Sequence, residues 1–440
     1  MEEVASNGAA GPDVAVVGLG YVGLVLAAAL ARAGLTVVGI ERDARVRADV
    51  LAGRVPFLEP GLSDALRELP PGRLTAVERL SSAPPAVVLC VGTAVRPETR
   101  EPDLRDLTSA VDSIAGSLAP QTLVVVRSTV PVGTCRRVVL PRLRRAVADP
   151  LLACCPERTI QGRAMEELSS LPQIVGGLDQ RSLDRACELF AHVAPDRVPM
   201  TSIEAAEMVK LICNAHTDLI YGFGNEVAYM AEALGLDAGE LIAGANLRYP
   251  RPDLSRPGYV GGSCLTKDPH LLIHASTEAG YAPCLVPAAR RVNEHLPERA
   301  VRRALRALEA GGRAGSTANV LVCGIAYKGR PVTDDVRGAA SGVVANLLRG
   351  RVAALRGHDF VVPAARVEAM GFVPVDLEQG LEEADVLLLL SDHPGYRRLT
   401  AATLRERMRR PAIVFDGWGL LEAELARAGN VEYLRLGVGR

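Results

Sequence analysis

Val14-Ala-Val-Val-Gly18-Leu-Gly20-Tyr-Val-Gly23 is the stretch on which the fold turns. Four apolar residues run into a glycine turn, and the chain leaves it in an apolar, alanine-rich segment beginning at Val22. That is a strand feeding a helix through Gly-x-Gly-x-x-Gly. At this spacing Gly18, Gly20 and Gly23 let the backbone turn, approach a pyrophosphate and pack helix on strand, while Tyr21 and Val22 open a helix whose N–H groups and dipole favour phosphate charge. Glu41 closes the next strand. Its carboxylate accepts hydrogen bonds from ribose hydroxyls and repels a 2′-phosphate, so the pattern selects NAD over NADP. Arg42 beside it reads as a solvated surface arginine or as a group turned toward a 2′-phosphate.

Outward from this stretch, short Val/Leu/Ile runs alternate with longer amphipathic segments in the rhythm of a parallel α/β sheet. Candidate strands are 14–17, 36–40, 86–91, 122–128 and 151–155, giving an N-terminal Rossmann domain over 13–199. From Ser202 to Leu234 there is no proline and apolar residues recur every three or four positions, which predicts one long helix with a soft spot at Gly222 and Gly224. This helix anchors a central helical domain over 200–310. A Pro- and Gly-rich loop from Tyr249 to Gly262 leads into Cys264. After a charged helix and the linker-like Gly311 to Ser316, strands resume at 319–323, 386–390 and 412–415, a C-terminal Rossmann-like α/β domain over 316–440.

The bulk numbers agree with that plan. A chain of 440 residues exceeds what one core usually serves, and 48% hydrophobic with 23% charged residues reads as globular. A net charge of −1 with interspersed signs gives no electrostatic footprint for nucleic acid or a membrane surface. The first thirteen residues lack the basic flank and apolar run of a secretory signal, and no apolar stretch reaches the roughly 18 residues needed to span a bilayer. Nine irregularly spaced cysteines predict reduced thiols and a cytoplasmic protein. His270 and His274 read as surface residues rather than metal ligands, and no metal is expected.

Several clusters carry chemistry. Lys210 and Asn214, one helical turn apart, can polarise a carbonyl or alkoxide oxygen. Gly261-Gly-Ser-Cys264-Leu-Thr-Lys267-Asp268 places a thiol after a glycine turn near a helix start, with Lys267 to favour the thiolate and Asp268 to relay protons. Pro156-Glu157-Arg158 follows a strand end, where open α/β sheets bind ligands, making Glu157 a candidate base. Thr129, at the preceding strand end, can hold a water. Lys328, Asp334, Asp335 and Arg337 follow the first strand of the third domain, and a cation pair there suits a diphosphate.

The order of motifs (GLGYVGL, FLEPGL at 57–62, CVGTAV at 90–95, STVPVGT at 128–134, CPERTIQGRAMEEL at 155–168, EAAEMVKLICNAHTDLIYGFGNE at 204–226, GYVGGSCLTKDPHLL at 258–272, GIAYKGRPVTDDVRG at 324–338) closely resembles the UDP-glucose/GDP-mannose dehydrogenase family. The resemblance implies two NAD per nucleotide sugar, a homodimer built on the central domain, Cys264 as nucleophile and Lys210 with Asn214 as oxyanion stabilisers. It further implies Asp268 with Thr129 as proton handlers through water, and Glu157 as an aid to thioester hydrolysis. Thr93, Glu41, Lys267 and Arg337 would approach the cofactor, Lys328 and the backbone near Gly261 the sugar nucleotide, and Arg251 would reach a neighbouring subunit's site. Val46 stands where many members carry a cofactor-touching Lys or Arg, a role assigned to neither Arg45 nor Arg47 beside it, and Gln161 stands where many carry a second glutamate. Pro-Glu-Arg and Ile174-Val-Gly-Gly177 resemble the N-acetylhexosamine branch, whereas Lys267 is often replaced in its N-acetylmannosamine members. A UDP-N-acetylhexosamine is thus favoured over UDP-glucose, with GDP-mannose third. Rival readings are a two-electron dehydrogenase of the β-hydroxyacid type, which leaves Cys264 idle, and a non-catalytic sugar-nucleotide-binding protein.

Overall fold

A computed structural model describes residues 11–250, 253–426, 429 and 431–439. They pack as two compact units, one formed by 11–213 with 270–281 and the other by 214–269 with 282–439.

The first unit is built on β1 (Val14–Val17), β2 (Val37–Ile40), β3 (Leu74–Val77), β4 (Ala86–Leu89), β5 (Leu123–Val126), β6 (Leu151–Cys154), β7 (Gln173–Gly177) and β8 (Arg197–Pro199), in the order β8-β7-β6-β5-β4-β1-β2-β3. β7 runs antiparallel to β6, while the other pairings are parallel. Strands β1, β2, β4, β5 and β6 are buried at every position, as continuous apolar runs covered on both faces should be. The crossover from β1 to β2 is helix α1 (Tyr21–Arg32). The strand spans read from sequence hold to within two residues at each end. The edge strands were not read, because β3 is half-exposed and β8 wholly exposed, and such strands lack an apolar signature.

Helix α2 runs unbroken from Ile203 to Leu234. Gly222 and Gly224 are contact points rather than a soft spot. A Cβ on Gly222 would lie 3.0 Å from that of Ala289, and one on Gly224 only 2.3 Å from the Ser255 carbonyl oxygen. The glycines admit a neighbouring helix and a loop to the α2 backbone.

In the second unit β9 (Asn319–Cys323), β10 (Ala354–His358), β11 (Val373–Pro374), β12 (Val386–Leu389), β13 (Ala412–Asp416) and β14 (Val431–Arg435) form an all-parallel sheet ordered β11-β10-β9-β12-β13-β14. The cysteine lies on a one-turn helix, α3 (Gly262–Leu265); α4 (Asp268–Glu278) follows, belonging to the first unit from 270 on, and then α5 (Leu285–Glu294) and α6 (Leu296–Ala310). Ala228 and Ala231 of α2 and Leu296, Ala300, Ala304 and Leu308 of α6 share an apolar cluster with Val320, Val386 and Ile413 of the C-terminal sheet. Among the described residues no helix is long and apolar enough to cross a membrane.

Candidate functional site

In the first unit the glycine turn is shaped by contact on one side and open on the other. Gly18 has φ +88°, where L side chains are strained, and a Cβ on Gly23 would lie 1.8 Å from the Gly18 carbonyl oxygen. A Cβ on Gly20 would meet nothing within 4 Å. That open side adjoins the orphan N–H groups that start α1, and so can take a phosphate. Tyr21 stacks on Phe57 at 4.0 Å. The Glu41 carboxylate accepts from Leu19 N at 2.9 Å and from Asp43 N at 3.0 Å, which fixes it at the end of β2 beside the turn. Arg42 is exposed and lies 3.4 Å from Asp106. Val46 packs on the core, and Arg47 instead folds back over the strand end, its Nη1 donating to the carbonyls of Glu41 at 2.7 Å and Arg42 at 2.9 Å.

The loops after β4 and β5 are stitched together: Thr93 Oγ1 donates to the Thr129 carbonyl at 2.6 Å and Ser128 Oγ to that of Val91 at 2.7 Å. The Thr129 loop has a second anchor that sequence reasoning missed. Glu207, 2% exposed, accepts from Gly133 N at 2.5 Å and Cys135 N at 2.7 Å. Burial pushes its carboxyl above the usual range although the two amides pull the other way. Its spacing of three from Lys210 was the available signal, since it puts both on one stripe of α2.

Glu157 is not poised as a simple base. Arg127, 1% exposed, pairs with its Oε2, while Oε1 accepts from Arg158 N at 2.7 Å and Thr159 N at 2.8 Å. Burial raises the Glu157 carboxyl, but Arg127, these amides and the positive potential of buried Lys210 outweigh it and hold it below the ordinary range. A carboxylate so stabilised is a poor proton acceptor. Arg127 also donates to Gln173 Oε1 at 2.9 Å and to the Cys155 carbonyl at 3.2 Å, and lies over Phe190. The FLEPGL motif has a structural use: Glu59 accepts from Gly162 N and Ala164 N, both at 2.8 Å, capping the turn that follows Gln161.

In the second unit Asp268, fully buried, receives Asn214 Nδ2 on Oδ2 and Lys267 Nζ on Oδ1, each at 2.5 Å. Lys267 is thereby turned onto Asp268. The Cys264 thiol is exposed, as are those of Cys213 and Cys284. By contrast, burial pushes Cys90 up to about 12 and raises Cys135, Cys155 and Cys323, so those thiols stay protonated. The turn before Cys264 admits no side chain. A Cβ on Gly261 would lie 2.6 Å from the Gly338 carbonyl oxygen, and one on Gly262, at φ +90°, 2.8 Å from the Tyr327 ring.

Lys328 Nζ lies 5.3 Å over the Tyr327 ring. Arg337 is drawn onto Asp335 through a fork with its closest approach at 2.7 Å, and Arg366 reaches Asp334 at 3.2 Å. Of the two cations expected to meet a diphosphate, Arg337 is thus partnered by an acid, while Lys328 lies over a ring. Arg251 lies outside the described residues. His274 pairs with Glu278 at 3.3 Å, and the described residues contain no group of three or more His, Cys, Asp or Glu arranged to hold a metal ion.

Residues 12–194 match the NAD binding domain of the UDP-glucose/GDP-mannose dehydrogenase family, residues 204–295 its central domain and residues 321–423 its UDP binding domain. The chain is 32% identical to the UDP-N-acetyl-D-mannosamine dehydrogenase of Pyrococcus horikoshii over 97% of its own length and 99% of that protein. It is 30% identical to the NDP-N-acetyl-D-galactosaminuronic acid dehydrogenase of Ralstonia nicotianae over 93% and 96%. A solved structure of UDP-D-ManNAc dehydrogenase from Pyrococcus horikoshii superposes with a TM-score of 0.88 at 30% identity, covering 97% of this chain and 99% of that one. With a dinucleotide turn backed by Glu41, a second parallel sheet and end-to-end similarity, the chain belongs to the UDP-glucose/GDP-mannose dehydrogenase family and is an NAD-dependent nucleotide-sugar dehydrogenase.

Proposed function

We propose that the protein oxidises the C6 alcohol of a UDP-N-acetylhexosamine to the uronic acid, in two successive oxidations, with Cys264 as covalent nucleophile. The observation that carries this reading is the exposed Cys264 thiol four residues before a buried Asp268 that is bonded to both Asn214 and Lys267. The N-acetylhexosamine preference is supported by the names of the relatives that the chain matches over most of its length. The Gly20 turn and Glu41 would hold NAD, which would supply the hydride acceptor for both oxidations. Among the chain's own groups, Asp268 with Thr129 takes the C6 hydroxyl proton through water. The Cys264 thiolate adds to the resulting aldehyde carbon, and Lys210 with Asn214 stabilises the thiohemiacetal oxyanion. After the second oxidation the thioester is cleaved by water, which returns the thiol and releases the carboxylate. In this scheme Asp268 serves the hydrolytic water, and Glu157 supplies fixed negative charge and backbone anchoring. Gly261, Lys328 and Arg251 are assigned to the sugar nucleotide, and Thr93, Lys267 and Arg337 to the cofactor side. Residues 13–199, 200–310 and 316–440 act as NAD-binding, central and sugar-nucleotide domains of a cytoplasmic enzyme.

Two oxidations per turnover require two NADH per nucleotide sugar consumed. Purified protein incubated with NAD and a panel of UDP- and GDP-sugars should give that ratio with a uronate of matching mass. A stable aldehyde with one NADH would sink the four-electron mechanism in favour of the β-hydroxyacid type. UDP-glucose turned over faster than every N-acetylhexosamine would move the substrate assignment.

A homodimer through α2 belongs to the same reading. Met208, Ile212, Ile220, Phe223, Met230 and Leu234 are 38–72% exposed. At 3.6 residues per turn they share one face of the helix. Replacing Phe223 and Met230 together by Glu should shift the mass by light scattering from dimer toward monomer, and a concentration-independent monomer in the wild type would refute the assembly.

A further inference from the structure

Beneath the cysteine turn, the second unit buries a connected row of polar side chains. Asp218, Asn225 and Asn293 are 0% exposed and Arg290 is 1% exposed. Arg290 Nη1 donates to the Leu265 carbonyl at 2.7 Å and lies 3.1 Å from Asp218 Oδ1. Asn293 Nδ2 donates to that same Oδ1 at 2.8 Å and to the Asp218 backbone carbonyl at 3.0 Å. Asn225 continues the row, its Nδ2 donating to Asn293 Oδ1 at 2.8 Å and to the Gly258 carbonyl at 2.9 Å, while its Oδ1 accepts from Gly258 N at 2.8 Å. The bonds begin at Gly258 and end at Leu265. Those two residues bracket the turn that presents Cys264.

Stability does not account for such a row. Removing two charges from water costs several kcal/mol per ion, and a buried pair roughly breaks even against apolar residues of the same volume. What the row does is fix backbone. A primary amide bonded to both the N–H and the C=O of Gly258 allows that residue little rotation, and a guanidinium 3.1 Å from a carboxylate oxygen holds the Leu265 carbonyl in one direction. Between those two points 258–261 has no regular structure of its own, and α3 is a single turn. The local chain therefore offers little to hold the thiol in place.

We propose that Arg290, held by Asp218 and extended through Asn293 and Asn225, is the positioning element for Cys264. This rests on Cys264 being the reactive thiol. Arg290 acts through the peptide units on both sides of the cysteine, not on substrate.

Arg290→Met alone strands Asp218, so the decisive variant is Asp218→Leu with Arg290→Met, which removes both charges and keeps the volume filled. We expect its melting temperature to stay within a few degrees of wild type, its kcat to fall about 100-fold, as for a nucleophile misplaced by about 1 Å, and its KM to change by less than about threefold. The rate of Cys264 carboxamidomethylation by iodoacetamide, read on the Cys264 peptide by mass spectrometry to separate it from Cys213 and Cys284, should change by about fivefold or more. Arg290→Lys, which keeps the charge and one donor, should recover kcat to within about tenfold of wild type. A folded double variant with wild-type kcat and wild-type alkylation rate overturns the proposal. Should the double variant not fold, Asn225→Ala tests the other end of the row, and a lower melting temperature with unchanged turnover per folded molecule would overturn the proposal equally. If the wild type oxidises no nucleotide sugar, the functional reading fails, and the alkylation measurement still decides this inference by itself.

Discussion

Cys264→Ser should abolish uronate formation by about four orders of magnitude or more while leaving both ligands bound, in line with removal of a covalent nucleophile elsewhere. The substitution exchanges sulfur for oxygen at an exposed position, so no cavity opens in the core and folding should be untouched. A serine hydroxyl lacks the thiolate's nucleophilicity. The aldehyde carbon then has no sulfur to capture it, and the route to the thioester closes. NAD and sugar-nucleotide affinities by calorimetry should stay within about threefold of wild type, because uniform binding is not what the thiol provides. Near-wild-type uronate production by a folded Ser variant would refute the nucleophile assignment. A fall in melting temperature with turnover intact would mark Cys264 as a packing residue.

The second large effect is on stability. Arg127→Met should cost about 3–5 kcal/mol at neutral pH, because it leaves the Glu157 carboxylate buried without its counter-charge, and should lower the melting temperature by roughly 6–20 °C. The pH dependence has a definite sign. Burial raises the Glu157 carboxyl, but Arg127 and two amides hold it below the ordinary carboxylate range. In the wild type this group contributes stability that is present above the unfolded carboxylate pKa and is lost as pH falls through the lower, folded value. Without Arg127 the burial cost dominates, the folded value rises above the unfolded one, and the sign inverts. The variant is then weakest near neutrality and narrows its deficit as the medium turns acidic. Chemical denaturation from pH 7 down to pH 4 would show this. Adding Glu157→Gln to Arg127→Met should recover much of the loss. A single variant as stable as wild type at pH 7, or a deficit that widens in acid, would contradict the account.

What could be read from the chain and what could not divide along sequence distance. The Gly18 turn and the places of Glu41 at a strand end and Cys264 near a helix start were legible because each signal is local: a strand, a glycine spacing and a helix start lie within a few residues of one another. The unbroken α2 was legible from its period, although the meaning of Gly222 and Gly224 was not, since their contacts are with Ala289 and Ser255. Arg127 follows four apolar residues and reads as the polar end of a strand. Its burial depends on Glu157 and Gln173, and Gln173 lies 46 residues away. Arg290 sits in an Arg-Arg doublet that looks like a solvated helix face, and Asp218, its partner, is on another helix. Lys267 and Arg337 were assigned to the cofactor by likeness, whereas the structure gives each an acid as close partner, which spacing alone cannot distinguish.

Helix α2 also constrains how this gene can vary in length. Glu207, Lys210, Asn214, Asp218 and Asn225 follow one another at intervals of three, four, four and seven residues along an unbroken helix. Each residue added turns everything beyond it by about 100° and moves it by about 1.5 Å. A single-codon insertion between Lys210 and Asn214 would therefore carry Asp218 and Asn225 off their partners and rotate the apolar stripe that includes Phe223, with no residue chemically altered. Loops tolerate such insertions because their ends can absorb the extra length, and a helix held at both ends cannot. Among homologues, insertions and deletions should accordingly be absent from 207–225 and frequent at the exposed turn near Gly312, a pattern that an alignment by length alone would reveal.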